Sequence, residues 1–147
     1  MTAHPGFEQR VRDSFALQRA MALIGATLVR IAPGEVDVEL PVRADLTQQH
    51  GYVHAGILAA VLDSACGYAA FTLMPPDRTV VSVEFKINLL APAVGDRIVA
   101  RARVKKAGRT LSVCDADAVA FRNGQEKLVA SMNGTMMSVP AQAGGQS

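Results

Sequence analysis

Residues 48–71 read QQHGYVHAGILAAVLDSACGYAAF, and from Gly56 onward this stretch is apolar or small on every side except at Asp63. A helix that is apolar all round is a buried helix, and a carboxylate inside one is costly unless it is partnered or used. The stretch therefore predicts a helix that the rest of the chain must wrap, with Asp63 as the first candidate for chemistry. His50, Gly51, His54 and Gly56 stand at the mouth of that helix.

Working outward, the 147 residues fit one domain, predicted to span 1–139 with a disordered tail at 140–147. Half of the residues are apolar and there is no Trp, so the core must be aliphatic and thin, the kind that leans on an oligomeric partner. The net charge is only +2, and positive side chains gather only at Lys105, Lys106 and Arg109. No nucleic-acid footprint follows. Cys66 and Cys114 have neither metal nor redox spacing and read as small buried thiols in a reducing compartment. The first fifteen residues are charged and lack a signal core. Ile57–Phe71, interrupted by Asp63, is shorter than the ~20 residues a membrane span needs. The expectation is a soluble cytoplasmic protein without a metal, a resident cofactor or a membrane partner.

Residues 7–24 space their apolar positions as one amphipathic helix, with Gly25 as its stop. From Ala26 the period changes to two: ATLVRIA, a Pro33-Gly34 turn, then EVDVELPV, a hairpin with one wet face. After the central helix, RTVVSVEFKINLLAP, DRIVARARVKKA, RTLSVCDADAVAF and EKLVASMNGTMMSV all alternate as strands, the last two joined by the Asn123-Gly124 hairpin signal. The order predicts an α+β fold: a curved, antiparallel six-stranded sheet around a buried helix, with the last four strands in meander. Helices do not alternate with those strands, which argues against a parallel sheet.

Asp63 has two readings, a structural carboxylate satisfied by a Ser or Arg of the sheet, or a functional acid. The helix start at Ala55 and Gly56 leaves first-turn N–H groups that favour a developing negative charge. About two turns, or ~10 Å, separate that start from Asp63, so the two cannot act on one carbonyl within a single chain. They could if two chains paired with their helices side by side. His54 reads as a capping imidazole ahead of a proton-transfer group, and Gln48 as a surface amide or a carbonyl-orienting one. Ser82 is an ordinary strand serine or the holder of a water. Arg101 and Arg103 face Asp117 and Asp115 as cross-strand ion pairs. The Lys105, Lys106, Arg109 turn is a solvated hairpin end or a phosphate site.

QQHGYVHAGILAAVLDSACGYA followed by VSVEFKINLLAPAVGDRIVARARVKKAGRTL resembles the PaaI-like branch of the hotdog-fold acyl-CoA thioesterases, in the 4-hydroxybenzoyl-CoA thioesterase superfamily, over roughly residues 20 to 139. The resemblance implies the hotdog fold, an acyl-CoA substrate, and a site shared between two subunits of a homodimer at least, extending to a homotetramer as a dimer of dimers. It implies Asp63 as general base or nucleophile, the Ala55 N–H as oxyanion donor beside His54, Gln48 where the family carries Asn, and Ser82 as the holder of the attacking water. Gly56, Lys105, Lys106 and Arg109 fall to the CoA moiety. The chain departs from the family at Ala55, where the family carries a second Gly after the His, and at Gln48, whose arm is one methylene longer. A hotdog hydratase or dehydratase and a non-catalytic acyl-CoA-binding protein are the rival expectations. Acyl-chain preference and dimer against tetramer stay open.

Overall fold

The computed structural model describes residues 1–142. It opens with two helices rather than the single one expected, α1 at Phe7–Ala16 and α2 at Arg19–Ile24. No Gly or Pro marks the break. On either side of it the Ser14 hydroxyl meets the Tyr68 phenol at 3.1 Å and the Gln18 side chain accepts from Ser64, so both sides of the break are held to the central helix. Gly25, at φ +77°, ends α2.

Six strands follow, β1 Thr27–Ala32, β2 Glu35–Pro41, β3 Arg78–Leu89, β4 Arg97–Ala107, β5 Leu111–Arg122 and β6 Gln125–Pro140, with the helix α3 at Ala55–Phe71 between β2 and β3. All pairings are antiparallel, in the order β1-β2-β4-β5-β6-β3. The expected four-strand meander holds for β4, β5 and β6 only. Residues 90–96 carry the chain away after β3, which pairs with β6 and forms an edge. At the β5–β6 turn Asn123 and Gly124 take φ 51° and 74°, the two left-handed residues of a type I′ hairpin.

Period-two alternation drives Val36, Val38 and Leu40 of β2, and Ile98, Ala100, Ala102 and Val104 of β4, inward. On β5 the inward row is Cys114, Ala116, Ala118 and Ala120. These short side chains let the sheet curve closely around α3, which touches β2 to β6. The cross-strand reading holds in register, Arg101 opposite Asp117 and Arg103 opposite Asp115. The ion pairs actually formed are Arg101–Glu126 at 3.1 Å and Lys105–Asp115 at 3.1 Å, with Arg103–Asp115 longer at 3.9 Å.

The central helix is not covered all round. Gly56 is exposed, and Ile57, Ala59, Ala60 and Asp63 are half-buried. Positions 56, 59, 60 and 63 lie on one helix face, the face beyond the β3 edge where the sheet stops. That edge also leaves Val81, Val83 and Phe85 exposed at 46%, 51% and 43%, although their alternation reads as a core strand; a bulge between Ser82 and Glu84 interrupts it. β6 runs through Pro140, opposite Arg78, so the predicted tail begins no earlier than the following residue, and its positions 143–147 lie outside the described residues. Among the described residues no helix is long and apolar enough to cross a membrane.

Candidate active site

The helix start is built by a rigid loop. Thr47 bridges Val53, Gln48 N–H donates to the Tyr52 carbonyl at 2.8 Å, and Val53 and His54 N–H donate to Ala93 and Leu46. Gly51 turns the loop at φ +82°. The N-cap residue is His54, whose Nδ1 accepts the Gly56 N–H at 2.8 Å. An accepting Nδ1 makes this imidazole a positioning group for the first turn. The Ile57 and Leu58 N–H groups bond to the His54 carbonyl. That leaves the Ala55 N–H as the first-turn donor without a partner among the described residues.

Gln48 is folded back on its own loop, and its Oε1 accepts from the His50 and Tyr52 N–H groups. Its Nε2 has no partner among the described residues, so the free end of this amide is a donor. Gln48, His54 and Ala55 line a cavity of about 520 Å³ together with Tyr52, Leu58, Leu89, Leu90 and Pro92. His50 is exposed, its ring 6.3 Å from that of Tyr52.

Asp63 lies eight residues further along α3, about 12 Å by helix rise, and opens into a different cavity. It is half-buried, not sealed in the core as its surroundings in the sequence predict. The Ser82 hydroxyl donates to Asp63 Oδ1 at 2.7 Å, so the structural reading of Asp63 and its pairing with Ser82 meet in one contact. The bulge after Ser82 presents this hydroxyl to the helix. The second carboxylate oxygen has no partner among the described residues, and Asp63 and Ser82 line this cavity together with Ser14, Gln18, Ser64 and Tyr68. Burial pushes the Tyr68 phenol above its ordinary range, while the bond to Ser14 pulls the other way, so it stays a neutral hydrogen-bonding group. The pairing of Gln18 with Ser64 was not legible, because 46 positions separate them in the sequence.

The basic turn lies at the other end of the molecule from His54. Ala107, Gly108 and Arg109 share a small pocket with Ala70, Leu73 and Met74 at the C-terminus of α3. Lys105 is engaged by Asp115. Burial acts to raise the Asp115 carboxyl, but bonds from Asn133 and Lys105 outweigh it and hold it below its ordinary value. Lys106 and Arg109 are exposed and form no ion pair among the described residues. Nor do any three His, Cys, Asp or Glu side chains among the described residues gather at metal-binding distance.

One chain thus brings Asp63 to Ser82, and Gln48 to His54 and Ala55, but keeps the two groups in separate cavities. The family model described as the thioesterase superfamily matches residues 50–127. Human acyl-coenzyme A thioesterase 13 is 35% identical over 94 residues, which cover 62% of this chain and 65% of that protein. A thioesterase family protein from Silicibacter pomeroyi is 52% identical, with a TM-score of 0.91 over 92% of this chain and 100% of its own. The Escherichia coli PaaI protein from the phenylacetic acid degradation operon is 25% identical, with a TM-score of 0.81 over 90% of this chain and 93% of its own. The sheet wrapped around a central helix is shared with these structures, and the chain belongs to the thioesterase superfamily as a PaaI-like hotdog protein.

Proposed function

We propose that the protein hydrolyses acyl-CoA thioesters to a free acid and CoA, and that each active site is completed by two copies of the chain. The observation that carries this reading is the division of the site. An unpartnered Ala55 N–H and a free Gln48 amide donor stand at one end of α3, and a hydroxyl-held carboxylate stands eight residues away on its open face.

Pairing two chains along β3 supplies the missing half. A twelve-residue edge strand with exposed Val81, Val83 and Phe85 is an unstable surface for a single copy, and a two-fold partner satisfies both edges at once. The two α3 helices then lie antiparallel, their small open faces in contact at Gly56, Ala59 and Ala60. Each Asp63 faces the partner's helix start.

In this arrangement the thioester oxygen takes hydrogen bonds from Ala55 N–H and Gln48 Nε2 at the positive end of the helix dipole. Asp63 of the other chain removes a proton from water, with Ser82 holding its carboxylate in place. The hydroxide adds to the carbonyl carbon, the oxyanion collapses, the C–S bond breaks and the thiolate leaves with the proton from Asp63. The C-terminal end of one α3 comes near the N-terminal end of its partner, which carries Lys106 and Arg109 toward the path of the CoA phosphates. Free-thiol release across a panel of acyl-CoAs tests the reading. Turnover by the native protein and its loss by at least ~100-fold in Asp63→Asn are expected; full turnover by Asp63→Asn would end it.

A further inference from the structure

Leu17 is 82% exposed, more than any other large apolar side chain among the described residues. A lone exposed leucine on a surface is ordinary; this one is set apart by where it stands and how it is held. It is the C-cap of α1, its N–H bonded to the Ser14 carbonyl at 3.1 Å. The chain is tied to α3 on both sides of it, Ser14 to Tyr68 and Gln18 to Ser64, so the backbone that carries the leucine is fixed. The side chain also lines the cavity beside Asp63. A residue that both lines a cavity and faces water stands at its mouth.

A matching surface edges the other cavity. Leu89, Leu90 and Tyr52 line the space that holds Gln48 and Ala55, and all three are exposed. In the pairing proposed above, Asp63 of one chain and Ala55 of the other act on one carbonyl. Asp63 lines the first cavity and Ala55 the second, so the two mouths open on each other across the subunit boundary. Leu17 is thereby carried to the apolar edge of the partner's cavity, and contact there takes both surfaces out of water.

We propose that Leu17 of each chain seats against the Leu89, Leu90 and Tyr52 edge of a second copy and closes the seam between the two cavities, so that it is a site residue supplied by the other chain. The inference rests on the two-chain reading above. A closed seam keeps bulk water from screening the hydrogen bonds of Ala55 and Gln48 to the thioester oxygen, which strengthen as water is excluded.

Leu17→Cys and Leu90→Cys chains, made separately, mixed, refolded and treated with a short bis-maleimide, test it, with native mass spectrometry counting the chains first. Cys66 and Cys114 are buried and leave the background silent. Leu23→Cys is the control, since Leu23 is 77% exposed on α2 and lines neither cavity. The expected result is a cross-linked two-chain product from the Leu17→Cys and Leu90→Cys mixture, well above the yield from either variant alone or from Leu23→Cys mixed with Leu90→Cys. Leu17→Ser should lower kcat/KM in thiol release by about tenfold, the worth of one buried leucine, while Leu23→Ser leaves it unchanged. Chains that are dimeric yet give no product, or give it equally in the controls, overturn the inference and leave the hydrolase reading standing; so does native kcat/KM in Leu17→Ser. Chains that stay monomeric while turning over acyl-CoA take down the two-chain reading itself, and this inference with it.

Discussion

Gln48 carries two jobs on the two ends of one amide, and Gln48→Glu separates them. Glu keeps an oxygen where Oε1 accepts the His50 and Tyr52 N–H groups, so the loop stays closed. It replaces the free Nε2 donor with a second oxygen and adds a negative charge beside Ala55. Losing one oxyanion donor costs about 10²–10³ in kcat, or about 3–4 kcal/mol of transition-state stabilisation, and the added charge repels the oxyanion further. KM should change little, because the interaction develops only in the transition state. Gln48→Ala loses the donor and the loop contacts together. One of those contacts is long at 3.4 Å, so about 1 kcal/mol of stability is at stake, a fall of roughly 2–4 °C in Tm. Steady-state thiol release and thermal unfolding of the two variants separate the effects. A Gln48→Glu protein with native kcat would refute the assignment of the amide as an oxyanion donor, whatever Gln48→Ala does.

Other consequences follow from single contacts. Ser82→Ala removes the hydroxyl that holds Asp63 and should lower kcat by about tenfold, the worth of one hydrogen bond to a charged group at the low end of its range; Ser82→Thr should recover most of it. His54→Ala should lower Tm by a few degrees through loss of its cap to Gly56, about 1 kcal/mol, and His54→Asn, which also caps, should restore it. Recovery of stability without recovery of kcat would show that the ring does more than position the helix. Burial pushes the Cys114 thiol up to about 12 and raises Cys66 further, so at pH 8 both stay protonated. The native protein should react with a thiol reagent at less than a hundredth of its rate in denaturant, and rapid native labelling at either cysteine would contradict the described core.

What the sequence made legible followed from local rules. The Asn123-Gly124 turn, the period-two strands and the all-round apolar helix each carry their own signal, and together they leave little choice but a sheet wrapped around α3. The position of β3 was hidden because its partner is set across the sheet and not by a turn: residues 90–96 permit either neighbour. Asp63 stood out as the lone charge of its helix, yet its half-exposure depended on where the sheet ends, which no residue of α3 encodes. The break between α1 and α2 was invisible because no Gly or Pro marks it, and the contacts that hold its two sides come from Ser64 and Tyr68, more than forty residues away. At the helix start the sequence offered several free N–H groups. The structure reduces them to Ala55, because the His54 ring and carbonyl take the others.

The central claim is that two chains complete each site, and subunit complementation tests it most directly. Asp63→Asn and Gln48→Glu are each expected to be inactive alone. Mixed one to one and refolded, half of the dimers are heterodimers, and each contains one site with both defects and one with none. Thiol release should therefore return to about a quarter of the native value per site in a two-fold dimer. A mixture that stays at the level of the single variants, with mass spectrometry showing heterodimers formed, would place the whole site within one chain and contradict the account.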